Sequence, residues 1–153
     1  MTTSSRERIV GTAMRLFHHE GIHVVGVDRI SHEAGVATMT LYRQFGGGKD
    51  DLVVAALQRW SDRWLARLRA ELDRRGDDPA ARFAGLWDAL EGWLATEGVH
   101  GSFIASAATE LRGQPGHPAH RVVDAHRLAF RRLLEELVEA AGAHDPAGLA
   151  AQL

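Results

Sequence analysis

Residues Gly26–Lys49 read GVDRISHEAGVATMTLYRQFGGGK, and the fold turns on this stretch. Val27, Ile30 and Ala34 fall at i, i+3 and i+7, one face of a helix, while Leu41 and Phe45 form a second, shorter apolar stripe. Between them, Ala34-Gly35-Val36-Ala37 puts a glycine where the chain must reverse within a few residues. Glycine enters left-handed backbone conformations without steric cost. Two short helices spanning about 26–45, with a polar outer face on the second, make a helix-turn-helix. The second helix, Thr38 to Gln44, is narrow enough to enter a DNA major groove.

Outward from this stretch, other positions fall into register with it. Arg8-Ile9, Ala13, Leu16-Phe17 and Gly21 precede it; Thr40-Leu41-Tyr42, Phe45, Lys49-Asp50 and Leu52 complete the set. Together these residues resemble the amino-terminal DNA-binding domain of the TetR family of bacterial transcriptional repressors. The resemblance implies an all-α protein: a three-helix DNA-binding domain over residues 3–63 and a helical ligand-binding and dimerisation domain over 64–153. It further implies a ligand-responsive repressor working as a homodimer on double-stranded DNA, its recognition helices about 34 Å apart in successive major grooves. Such proteins continue through two more helices that build the dimer interface. This chain stops as the first of them starts, so a truncated second domain is expected.

Composition narrows the alternatives. No cysteine is present among the 153 residues, which excludes disulfides and thiolate metal sites. The start, MTTSSRER, lacks the apolar run of a secretory signal, and no apolar stretch approaches the ~20 residues of a membrane span. A soluble cytoplasmic protein with no membrane partner is the expectation. Charge alone does not announce DNA binding. Residues 1–63 hold eight Lys/Arg against seven Asp/Glu, and 64–153 hold ten against thirteen, giving the formal net charge of −2. A positive DNA-facing surface must therefore come from placement of Arg6, Arg8, Arg29, Arg43 and Lys49.

The rest of the chain reads as helix. Ser4 and Glu7 form a capping-box pattern before the stripe Ile9, Ala13, Leu16 and Phe17, and Gly21 closes that helix. A long helix from about Asp50 carries Leu52, Val53, Ala56, Leu57, Trp60, Trp64, Leu68 and Leu72, roughly 34 Å at 1.5 Å per residue. Gly76 and Asp78-Pro79 mark a boundary, with Asp78 capping the next helix and Pro79 in its first turn. A short apolar helix follows over Phe103 to Leu111. Another runs from about Val122 to Gly142, and Asp145-Pro146 announces an eighth.

At the reading helix, Thr38, Met39 and Thr40 are the candidates for base contact. Threonine can donate, accept or place its methyl against thymine's, and methionine offers apolar contact. With no bidentate arginine or asparagine in that turn, specificity leans also on DNA shape. Tyr42 and Arg43 come a turn later, where phosphates are the partners; Arg29 and Lys49 join them. The resemblance puts Tyr42 and Lys49 at phosphate-holding positions, the amide end of the long helix adding to the attraction. Tyr42 equally suits a half-buried core aromatic.

Three departures from the family pattern bear on affinity. Gly46-Gly47-Gly48 puts three residues between Phe45 and Lys49 where two are usual. Val25-Gly26 stands where a capping threonine is frequent, and Ala37 where a serine is. A lost cap costs about 1 kcal/mol. These changes predict weaker binding.

In the second domain, Trp60, Trp64, Trp87, Phe103 and Phe130 supply apolar walls for an effector pocket, with His126 among the polar anchors alongside His100, Glu110 and Arg127. The same aromatics could simply fill a core. His117 and His120 lie at i, i+3 with Asp124 and His126 further along, but a metal site needs three or four ligands with outer support. No metal or cofactor is expected, and Ser31-His32-Glu33 is no triad because neighbours on one helix do not face each other. The alternative to a repressor is a helical ligand-binding or interaction protein with little DNA affinity of its own.

Overall fold

The computed structural model describes residues 4–97, 101–142 and 148. Among them are seven α-helices and no strand: α1 Ser5–Glu20, α2 Val27–Glu33, α3 Thr38–Gln44, α4 Lys49–Asp73, α5 Pro79–Glu97, α6 Phe103–Glu110 and α7 Ala119–Ala140. The all-α fold expected from the sequence is the fold observed. The eighth helix announced at Asp145-Pro146, and His100, lie outside the described residues.

Local chemistry places the helix ends. Ser4 accepts from the Glu7 amide at 3.2 Å while Glu7 accepts from the Ser4 amide at 2.9 Å, the reciprocal capping box. Asp78 accepts from the Ala81 amide at 3.2 Å, and Pro79 opens α5. Ser102 caps α6 through the Ala105 amide, a cap the sequence reading passed over. No helix among the described residues is long and apolar enough to cross a membrane.

The chain divides into two compact units, Met1–Ser61 with His100–Val123, and Asp62–Val99 with Asp124–Leu153. The division therefore does not run simply along the chain at 63/64, because α6 and the start of α7 fold with the amino-terminal helices. In the first unit α1 packs against α2, α3 and α6. Its core holds Ile9, Leu16, Phe17, Ile30, Leu41, Leu52, Leu57 and Phe103, all essentially inaccessible. In the second unit Leu68 and Leu72 of α4, Leu86 of α5, and Leu133, Leu134 and Leu137 of α7 make the core, with Trp64, Leu90 and Phe130 packed on it.

Candidate nucleic-acid interface

The turn between α2 and α3 is built by hydrogen bonds that only one backbone geometry allows. Gly35 has φ of +65°, its amide donates to the His32 carbonyl at 3.1 Å, and the Val36 amide donates to that of Ser31 at 3.0 Å. These nested bonds are a Schellman motif. A Cβ at Gly35 would meet nothing within 4 Å, so it is the dihedral, and not crowding, that demands glycine. Ile30 and Leu41 are wholly buried and Phe45 nearly so, which fixes the side of α3 that faces inward; Val36, at the turn, is half-buried.

The outward side of α3 carries Met39, 78% exposed, Tyr42, 45% exposed, and Arg43. Of the three base-contact candidates, Met39 projects furthest. Thr38 and Thr40 are half-buried, and the Thr38 hydroxyl lies 3.4 Å from Asp28 Oδ1. Arg6 adds a cation at the end of the reading helix, its guanidinium 5.0 Å from the centre of the Phe45 ring.

Neither helix of the motif has a side-chain cap. Gly26 (φ −88°, ψ 155°) and Ala37 (φ −69°, ψ 143°) occupy the extended cap conformation but offer no oxygen to the first-turn amides. In α3 the Thr40 amide bends back instead to the Ala37 carbonyl at 2.8 Å.

The glycine run between α3 and α4 is a tight, tied turn. Gly48 has φ of +65° and its amide donates to the Phe45 carbonyl at 2.9 Å. The Gly47 amide donates to Asp51 Oδ2 at 2.7 Å, and a Cβ on Gly47 would sit 2.5 Å from Asp51 Oδ1. A side chain at 47 would push the Asp51 carboxylate off this tie, whereas at 48 the dihedral itself calls for glycine. Lys49 begins α4 half-buried; desolvation pushes its ammonium below the usual lysine range, with Glu110 and Asp50 partly offsetting this. Asp50 and Asp51 in the first turn suit the helix dipole but leave less attraction there for a phosphate.

Arg29 is spoken for. Its guanidinium holds Glu20 through contacts of 2.5 and 2.8 Å and Glu33 at 2.9 Å, and Glu33 in turn pairs with Arg15 at 2.6 Å. The hydrogen bonds to Glu20, then to Glu33, raise the arginine's pKa further. The network ties α1 to α2 and spends two cations on two carboxylates.

The six residues proposed from sequence for an effector pocket do not come together. Trp60 and Phe103 are core residues of the first unit, both against the His18 ring, whose Nε2 donates to the Gly101 carbonyl at 2.8 Å. Trp64, His126 and Phe130 do cluster in the second unit, with ring centres 5.3 and 5.2 Å from Trp64. Trp87 is 54% exposed, beside Phe83. A cleft of about 470 Å³ in the second unit is lined by Trp64, Trp93 and neighbours on α4 and α5. The histidines of α7's start have separate partners: His117 Nδ1 accepts from the Ala119 amide, its Nε2 lies 3.4 Å from Asp50, and His120 donates to the Gln114 carbonyl. Among the described residues, no group of three or more His, Asp or Glu could hold a metal.

Two contacts that matter here escape the sequence reading, one of them made by Glu110, which the sequence offered as an effector anchor. Asp51 ties the glycine turn. Glu110, at the end of α6, takes the His23 amide at 3.2 Å on its carboxylate and the His23 ring at 3.0 Å on its carbonyl, anchoring the loop before α2. The 87-residue separation leaves no periodic or local signal for that contact.

Comparison with known proteins agrees with this geometry. Residues 9–56 match the profile of the bacterial regulatory proteins of the tetR family. The chain is 29% identical over 114 residues to the HTH-type transcriptional regulator LmrA of Bacillus subtilis, a match covering 72% of this chain and 60% of LmrA. The uncharacterised HTH-type regulator YxaF of the same organism is 42% identical over 53 residues, 35% of this chain and 28% of that protein. The match thus spans less than two thirds of either relative. Among solved structures, SCO4454, a TetR-family transcriptional regulator from Streptomyces coelicolor, superposes with a TM-score of 0.86 at 35% identity, covering 96% of this chain and 76% of that one. With the helix-turn-helix in place and likeness extending along nearly the whole chain, this protein belongs to the TetR family of bacterial transcriptional regulators.

Proposed function

We propose that the chain is a sequence-specific DNA-binding transcriptional regulator, a ligand-responsive repressor acting as a homodimer. The observation that carries this is the outward face of α3, where Met39, Tyr42 and Arg43 stand exposed on a helix whose other side is locked by Leu41 and Phe45. Residues 3–63 take the DNA contacts and 64–153 the effector and the partner subunit. Thr38, Met39 and Thr40 read bases; Tyr42, Arg43 and Lys49 hold phosphates. Arg29, bound to two carboxylates, acts by positioning α2 on α1. An effector that binds better to one spacing of the two reading helices releases DNA by shifting the population, as linkage requires.

The test is a gel-shift titration against the DNA beside the protein's own gene, repeated at several salt concentrations. Specific binding that weakens as salt rises supports the reading. No binding at micromolar protein overturns it in favour of a helical ligand-binding or interaction protein. Within it, Tyr42→Phe and Arg43→Ala weaken all sequences alike, whereas Thr40→Ala changes which sequence is preferred. Equal effects from all three overturn the assignment of roles.

A further inference from the structure

We propose that the cleft between α4 and α5 in the second unit binds a flat aromatic anion, a ring system carrying a carboxylate or similar oxyanion. This deepens the effector part of the function proposed above and rests on it only for its regulatory meaning; the binding itself stands apart.

The size and walls come first. At about 470 Å³ the cleft falls within the few hundred to ~1,000 Å³ of small-molecule sites. Trp64 of α4 and Trp93 of α5 both line it, their ring centres 6.2 Å apart and their planes at 84°. Two indoles at right angles give a flat guest one face to stack on and one edge to abut, the geometries aromatic pairs favour. Leu68 and Leu90 extend the apolar lining.

Charge then selects the guest. Four ionised side chains line the cleft: Arg67, Glu71, Arg74 and Asp88. Glu71 is paired with Arg74 and, at 3.0 Å, with Arg75; Asp88 is paired with Arg75 at 2.7 Å. Both carboxylates are thus neutralised by guanidinium groups. Arg67 has no carboxylate within ion-pair distance among the described residues, and it sits at i+3 from Trp64 on the same face of α4. The uncompensated charge in the cleft is positive. A cationic guest would have to draw a carboxylate out of an existing pair, and a neutral one would leave Arg67 unused. An arginine fork beside an indole wall matches an oxyanion attached to an aromatic ring.

The experiment is calorimetric titration of the full chain with three naphthalene probes: 2-naphthoate, naphthalene-2-methanol and 2-naphthylmethylammonium. We expect 2-naphthoate to bind about tenfold more tightly than the alcohol, the size of one charge-assisted hydrogen bond, and the ammonium to bind weakest. Arg67→Gln, at an exposed position, should erase the preference for naphthoate over the alcohol while leaving the alcohol's affinity and the helical circular dichroism unchanged. Trp93→Leu should weaken all three. Equal affinity for the three probes, preference for the ammonium, an Arg67→Gln protein that still favours naphthoate, or no heat with naphthoate up to millimolar concentration each overturn the proposal. No DNA enters the calorimeter. A chain that takes naphthoate but no operator therefore refutes the regulator reading alone, and one that binds operator but not naphthoate refutes this inference alone.

Discussion

The missing cap of the reading helix is a defect that one atom can repair. Ala37 already sits at φ −69°, ψ 143°, the conformation a capping residue needs, and it is exposed. Ala37→Ser would bring a hydroxyl oxygen to the amides of Met39 or Thr40 with no change of backbone. Replacing alanine at such a site by serine is worth about 1 kcal/mol, roughly fivefold in the folding equilibrium. The check is urea denaturation of wild type, Ala37→Ser and Ala37→Val, with amide hydrogen exchange followed at residues 39 and 40. Serine should raise the midpoint at constant m-value and slow exchange in the first turn of α3. Valine adds bulk but no acceptor, so it should gain nothing. If serine and valine behaved alike, or if serine left exchange at those amides unchanged, the account of α3 as an uncapped helix would be wrong. Gly26→Ser tests the same point at α2, where a Cβ would meet nothing within 4 Å. Its gain should be partly entropic, because the substitution also restricts the unfolded chain.

Three further outcomes follow from the geometry. Gly47→Ala and Asp51→Ala should each destabilise by about 1 kcal/mol, the worth of one cap-type hydrogen bond, and the double variant should cost little more than either single; additive losses in the denaturation cycle would show that the Gly47–Asp51 tie is not the shared cause. Arg29→Gln should leave the slope of log K against log salt for DNA binding unchanged while lowering the thermal midpoint, whereas a slope reduced by about 0.9 would return Arg29 to the phosphate contacts. Burial, helped by Arg127, holds the His126 imidazole below its ordinary value of 6.5, so below that pH the unfolded chain binds a proton the folded chain refuses. The contribution of His126 to stability is therefore complete above about pH 6.5 and is lost as pH falls toward its folded value. Wild type minus His126→Gln, compared by denaturation from pH 7.5 to 5, should show that loss, and parallel curves would exclude it.

What could be read from the sequence and what could not divides by distance along the chain. The Ser4–Glu7 box, the Gly35 reversal, the Asp78-Pro79 start and the limits of α3 are all decided within a few residues, by dihedrals and by side chains reaching the nearest amide. Periodicity likewise gave the buried side of α2 and α3, because Ile30, Leu41 and Phe45 can only be core if the helices pack at all. The effector residues were harder. Trp60 and Phe103 look like pocket walls in a list of aromatics, yet they close the first unit's core around His18, since α6 returns to pack on α1. No local pattern announces that return. The same holds for Glu110, which reaches a loop 87 residues earlier.

Charge is where this limit matters most for function. A count over residues 1–63 gives one net positive charge, and it treats every arginine as available to phosphate. In the fold, Arg15 and Arg29 are consumed by Glu20 and Glu33, and Asp50 and Asp51 occupy the amide end of α4 where an anion would otherwise be welcome. The cations left facing outward include Arg6 over Phe45, Arg8 on α1, Arg43 on α3 and a half-buried Lys49. Such a surface releases few counterions on binding, so its affinity should rest more on the fit of α3 in the groove than on bulk attraction, with a shallower salt dependence than the arginine count suggests. The glycine turns on either side of α3, at Gly35 and Gly48, then weigh on DNA binding as heavily as the side chains that touch it.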